Sequence, residues 1–286
     1  MAIPKDRPPP EIAALQSLFY QPVVQKAVSE IEAVAGYRLN NQLRAPFLHF
    51  HAFITMDPPP RYITNWRSDP ARNRWYHCHV NGVLGHVQNA LACVFYHRDN
   101  LCAIEDSVRQ IFLQSGAQAV LGNSTIGLGN TIRWDAEYQA FVLAVRRCLD
   151  YLARAMATYF QNDHHSFRRL PGFLRNVKPA PVSLALADAC KRHEANFAYV
   201  LSDGKRKSIR DLLSHYEYIS AGSLNIGRTG FLVAGGGENL KPVSGVWDGG
   251  LSAIIRKRAD ELHACIGDVL ATFVAAAREQ DERPDA

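Results

Sequence analysis

Tyr138, Phe141, Val142, Val145, Leu149, Leu152, Met156 and Tyr159 recur at intervals of three or four residues. That spacing gathers apolar side chains on one face of a helix with about 3.6 residues per turn. A stripe this long cannot lie bare in water, so the chain has to supply other elements to cover it. Asp135 is expected to cap this helix, which runs to about Phe160. Ile255, Leu262, Ile266, Val269 and Phe273 predict a long closing helix, with Asp248 as its expected cap. Val83, Leu84, Val87, Leu91, Val94 and Phe95 predict a helix from Val80, and a second follows from about Leu101 to Gly116. Strand signals are few. The apolar run Phe47 to Ile54 reads as a strand, and Gly222 to Gly250, with Phe231-Leu232-Val233-Ala234 inside it, reads as a loop or small hairpin. The expected fold class is mainly α, a helical bundle with irregular excursions.

The remaining segments punctuate this bundle. Four prolines in the first ten residues predict an irregular arm, and Glu11 to Ala35 reads as helix broken at Pro22 and stopped by Gly36. Pro58-Pro59-Pro60 ends the expected strand and opens an Arg- and Trp-bearing stretch, read as loop to about Tyr76. A Gly/Asn/Ser/Thr-rich connector follows Gly116. Ser183 is the expected cap of a helix reaching Leu201, Asp203-Gly204 breaks it, and Ser208 to about Ser220 forms a further short helix. Three parts are expected: an extension of mixed structure over 1–79, a helical pair and connector over 80–133, and a helical domain over 134–280.

With 286 residues, 47% of them hydrophobic, the chain can bury a sizeable core. The apolar stretch Val269 to Ala277 is far short of the roughly 20 residues that a bilayer demands. The first residues lack the apolar centre of a signal peptide, so no membrane partner and a cytoplasmic location are expected. Six cysteines without a Cys-x-x-Cys pair argue against a disulfide framework or a zinc ribbon, and predict reduced, mostly buried thiols.

The formal charge of +5 is concentrated. Residues 161–215 hold ten Lys and Arg against five Asp and Glu, which leaves 22 of each sign elsewhere out of 32 and 27. That segment ends in Lys205-Arg206-Lys207-Ser208-Ile209-Arg210-Asp211-Leu212-Leu213-Ser214-His215. Cations crowd a helix N-terminus there, against the helix dipole, and an anion is their natural complement. Ser208 with Asp211 three residues on is a capping-box variant that fixes the helix start. Ile209, Leu212, Leu213, Tyr216 and Ile219 form the expected buried stripe, with Arg210 and His215 on its two flanks. Five positions turn these two roughly 140° apart about the axis. Either the first turn is irregular and the Arg wraps round, or two copies of the motif from two protomers bracket one group. Asp211 and His215, four apart, share a face, so the carboxylate can orient the imidazole unless capping already occupies it.

Arg210, a polar Asp211, three further residues and His215 resemble the signature of the HEPN superfamily, the higher eukaryote and prokaryote nucleotide-binding domains. The order of the helices around it is similar too, including Arg146 to Ala153 on the long helix. The resemblance spans roughly residues 134 to 280. It implies a bundle that dimerises so that two motifs face one cleft, acting as a metal-independent endoribonuclease without a cofactor. Carried over, Arg210 stabilises the charge on phosphorus in the transition state, His215 is the general base or acid for attack by the RNA 2′-hydroxyl, and Asp211 orients. Lys205, Arg206, Lys207 and Ser208 hold the phosphate. Asp150 on the long helix matches a supporting polar position less closely. RNA, a second copy and an antitoxin or other protein are the implied partners, in a toxin–antitoxin or defence setting.

Two other classes stay open. One is a non-catalytic helical protein binding nucleotide, nucleic acid or a partner. The other is a metal- or cofactor-dependent helical enzyme built on the histidines among His77, Cys78, His79, His86, Cys93 and His97, a donor set that matches no standard zinc module. His164, His165, Arg168 and Arg169 are candidates for phosphate contacts. Trp66, Trp75 and Tyr76, interleaved with Arg61, Arg67, Arg72 and Arg74, mix aromatic and basic residues as single-strand binders do, though Trp packing into the bundle is the plainer expectation. Gly235-Gly236-Gly237 is read as a turn, since no phosphate-loop pattern surrounds it.

Overall fold

Pro22 opens and Gly36 closes the first described helix of the structure, a computed structural model that describes residues 21–201, 207–215, 217–227, 230–241 and 250–283. This helix, α1 (Pro22–Ala35), has no buried side chain and belongs to a first compact unit, Met1–Arg38. The helix expected over residues 11–20 lies outside the described residues. Leu39–Ala286 forms the second unit, and the sequence-based boundaries near 79 and 133 both fall inside it.

The second unit begins with α2 (Asn41–Ile54), where a strand was expected over its C-terminal half. Asn40 decides the matter by accepting the Leu43 N–H at 2.9 Å as an N-cap. Phe47, Phe50, Phe53 and Ile54 then fall at helical spacing and are buried together. The stretch expected as loop holds α3 (Arg61–Ser68) and α4 (Asn73–Asn81), because Ile63, Trp66, Trp75 and His79 repeat on inward faces and bury. A π-helical turn, Gly82–Val87, leads straight into α5 (Gln88–Gln114), so the expected pair of helices is one continuous element. Gly116, at φ 68°, ends it in a conformation that costs glycine little.

The connector contains α6 (Ala117–Leu121) and β1 (Thr125–Gly127). The long stripe is α7 (Ile132–Tyr159), three residues earlier in onset than its expected cap Asp135, which sits in the first turn. After a 3₁₀ turn, Phe167–Arg169, come α8 (Leu170–Leu174) and α9 (Ala180–His193). Ser183 is inside α9 and is no cap: its hydroxyl donates to the Val177 and Ala180 carbonyls at 3.0 and 3.2 Å. A 3₁₀ turn, Glu194–Phe197, carries the chain on to Leu201. The motif helix α10 (Ile209–His215) is shorter than expected, with residues 217–220 non-helical. A hairpin of β2 (Ser223–Gly227) and β3 (Gly230–Ala234) pairs Leu224 with Val233, and β1 adds to its edge through Ile126 opposite Ile226 in a three-stranded antiparallel sheet. Helix α11 (Gly250–Glu282) closes the bundle, and Asp248 lies outside the described residues.

The chain is therefore mainly α, a helical bundle with one small sheet among the described residues. Helix α7 lies along α5 and against the π turn and α4, while α11 packs on α9, α2 and α5. Phe273 of α11 ties the layers together, with its ring 5.1 to 6.3 Å from those of Phe50, Phe53, Tyr62, His79 and Tyr159. All six cysteines are free. Cys102, Cys148, Cys190 and Cys265 are buried, and Cys78 and Cys93 are exposed. Among the described residues no helix is long and apolar enough to cross a membrane.

Candidate active site

The start of α10 is built by a reciprocal cap. The Asp211 N–H donates to Ser208 Oγ at 3.1 Å, and the Ser208 hydroxyl donates back to Asp211 Oδ2 at 2.9 Å. Arg210 Nη1 donates to the other carboxylate oxygen at 3.0 Å. Burial pushes the Asp211 carboxyl up, but the hydrogen bonds from Ser208 and Arg210 outweigh it and hold it below the ordinary carboxylate value. Both oxygens of Asp211 are thus engaged in capping and in the pair with Arg210.

Arg210 keeps 33% of its side chain exposed, His215 is exposed at the far end of the helix, and Lys207 is exposed just ahead of it. Ser208 is buried. Lys205 and Arg206, the other expected phosphate contacts, lie outside the described residues. So does Tyr216 of the expected stripe. Ile209, Leu212 and Leu213 are only half-buried, so the stripe is less deeply covered than the sequence suggests. All seven residues of α10 are α-helical, which removes the irregular first turn as a way of bringing Arg210 and His215 together within one chain.

The motif helix is fastened at both ends. The Ile209 N–H donates to the Tyr199 carbonyl at 2.9 Å, and the Glu217 N–H to the Leu212 carbonyl at 2.9 Å. The chain then meets Asp135 of α7, whose carboxylate accepts the Ala221 N–H at 2.7 Å, the Ser220 hydroxyl at 2.9 Å and the Tyr218 hydroxyl at 3.0 Å. Gln139, one turn on, donates to the Ile219 carbonyl at 3.0 Å. Asp135 is thus a clamp on the exit of the motif helix. The sequence offered a trace of this role, an acidic residue in the first turn of a helix whose neighbours are apolar.

A buried polar group extends from Tyr199, whose carbonyl receives α10. The Arg258 guanidinium lies 3.3 Å from the centre of the Tyr199 ring and pairs with Glu238, which also accepts the Tyr138 hydroxyl at 2.8 Å. Burial pushes the Glu238 carboxyl up despite Arg258 and Tyr138, and pushes the Tyr138 and Tyr199 phenols up as well. Nothing in the sequence spacing relates Tyr138 to Glu238, a hundred residues apart.

The weaker candidates find ordinary places. Asp150 accepts Arg146 Nε at 2.8 Å and the Phe167 N–H at 3.3 Å, so it braces the 3₁₀ turn. The His164 ring stacks on Phe173 at 4.7 Å. His97 donates to Glu137 at 2.7 Å, and His79 is fully buried, with Nδ1 donating to the Ala155 carbonyl at 2.8 Å. Groups of three or more His, Cys, Asp or Glu placed to hold a metal do not occur among the described residues. Trp66 and Trp75 are buried, so they pack into the bundle and offer no stacking platform. Gly237 belongs to a turn that a side chain would obstruct, since a Cβ there would lie 2.6 Å from Tyr138 Oη.

Comparison of the chain with protein-family models, with curated proteins and with solved structures finds no match in any of the three.

Proposed function

We propose that this chain is a metal-independent endoribonuclease of the HEPN type, acting as a homodimer through Arg210 and His215. The observation that carries the reading is the Ser208–Asp211 cap: it fixes a short helix with a half-buried Arg210 at one end and an exposed His215 at the other, directly after a run of cations. Because the two side chains leave a regular helix roughly 140° apart, a second copy supplies the other half of the cleft. His215 takes the proton from the RNA 2′-hydroxyl, the freed oxygen bonds to the adjacent phosphorus, and the bond to the 5′-oxygen breaks. The second copy's imidazole returns a proton to that leaving oxygen. Arg210 offsets the negative charge that builds on the phosphoryl oxygens, for which it releases or shares Asp211. An antitoxin partner and a defence role follow from the family resemblance alone.

The test is end-group analysis of RNA incubated with the full chain in EDTA. A 2′,3′-cyclic phosphate and a 5′-hydroxyl are expected. Intact RNA, or 3′-hydroxyl and 5′-phosphate ends, overturns the mechanism.

A second reading, a non-catalytic binding protein, is favoured by the engagement of both Asp211 oxygens, one of them by Arg210 itself. In that reading the motif is a structural cap, and its cations serve to bind an anionic partner.

A further inference from the structure

We infer that a groove on the C-terminal half of α7 binds a nucleoside phosphate, at a place separate from the Arg210/His215 helix. The groove is a cavity of about 820 Å³ between the π-helical turn and α7, and it adjoins a recess of about 210 Å³ that shares His86 and Tyr151 with it. Pockets of this size hold small organic ligands. One wall comes from residues 76–86, outside the stretch that carries the family resemblance.

Charge and shape name the ligand. Among the residues lining either part there is no Asp or Glu, while Arg154 lines the cavity and Arg147 the recess. Arg147 makes no ion pair with any described residue. The pairing of Arg154 with Asp163 is 3.9 Å long between largely exposed groups, which is worth little and is readily exchanged for a phosphate. Arg147, Tyr151 and Arg154 stand four and three residues apart, so one face of α7 presents cation, ring and cation in line. Tyr151 faces His86 at 5.4 Å between ring centres, and Tyr76 also lines the cavity, which gives aromatic surfaces for a base.

The wall from residues 76–86 includes two glycines of the π turn. A Cβ at Gly85 would lie 2.4 Å from Asn81 Oδ1, and one at Gly82 would lie 3.2 Å from the Ala155 Cβ. Glycine at 82 lets the π turn close on α7, and glycine at 85 leaves room for the Asn81 side chain at the groove's edge. π-helical turns set within α-helices are frequent at functional sites. Gln139, which holds the exit of α10, and Tyr151 are separated by twelve residues, roughly 18 Å along α7.

A free nucleotide and one unit of a single-stranded RNA share this chemistry, and two probes distinguish them. Binding to the full chain is measured with adenosine 5′-monophosphate by calorimetry, and with a fluorescein-labelled 2′-O-methyl RNA decamer, which cannot undergo 2′-hydroxyl attack, by anisotropy. The double variant Arg147→Glu/Arg154→Glu changes only exposed residues, and Arg133→Glu, exposed on the same helix outside the groove, controls for charge alone. The double variant is expected to weaken binding by at least about tenfold and the control by less than about twofold. Binding of the mononucleotide assigns a free ligand, and binding of the decamer alone assigns an RNA unit; both support the site. The proposal is overturned if neither probe binds, or if Arg133→Glu weakens binding as much as the double variant. Because the readout is binding, it stands or falls independently of cleavage.

Discussion

The Asp135 carboxylate meets the Ala221 backbone N–H at 2.7 Å, and this contact ties the exit of the motif helix to the first turn of the bundle's central helix. Asp135 is 5% exposed and also accepts the Ser220 and Tyr218 hydroxyls. Asp135→Ala leaves these donors without their acceptor and is expected to cost about 2 kcal/mol or more, with a fall in any cleavage rate. Tyr218→Phe, at a side chain 62% exposed, should cost less than about 1 kcal/mol. Urea denaturation of the two variants checks the order.

The cap gives a local prediction. Ser208→Ala is expected to cost about 1 kcal/mol and to raise hydrogen exchange at the amide of Asp211. The Asp211 carboxyl sits below its ordinary value, so its contribution is present above the unfolded-state titration and is lost as pH falls through the lowered folded value, below about pH 4. Asp211→Asn should flatten that acid limb of the stability profile.

His79 has a separate acid signature. Burial pushes its imidazole down to about 4 despite the bond to the Ala155 carbonyl. The unfolded chain therefore binds a proton that the folded chain does not between about pH 6.5 and pH 4, and stability falls as pH falls through that window. The expected loss is about 3 kcal/mol. Calorimetric unfolding across this range should show the slope in the parent protein and a shallower one in His79→Gln.

Periodicity made α7 and α11 legible, because their stripes are long and each is buried almost wherever an apolar residue falls on the spacing. Short helices were harder. The run Phe47 to Ile54 contains both a strand-like apolar tract and a helical repeat, and Asn40, seven residues upstream, settled it by capping. Trp66 and Trp75 lie on helices of only eight and nine residues, too short for a periodic signal to emerge among the arginines. At the site, the Ser208–Asp211 cap was readable because it is local. The clamp on Asp135 and the Tyr138–Glu238–Arg258 group were not, since each joins residues 20 to 100 positions apart.

That last group predicts an asymmetry. Glu238 and Arg258 are both largely buried, with only 3% and 16% of their side chains exposed. Glu238→Ala strands the Arg258 charge and should cost about 3 kcal/mol or more, whereas Tyr138→Phe removes one hydrogen bond and should cost about 1 kcal/mol. The melting temperatures of the two variants rank them.

The measurement that bears most directly on the account is RNA cleavage in EDTA by the parent chain, Arg210→Ala and His215→Ala, with circular dichroism run on each. Cleavage by the parent is expected, with a loss of at least about a hundredfold in both variants at unchanged helicity. Cleavage that persists in both folded variants, or its absence in the parent, contradicts the assignment of Arg210 and His215.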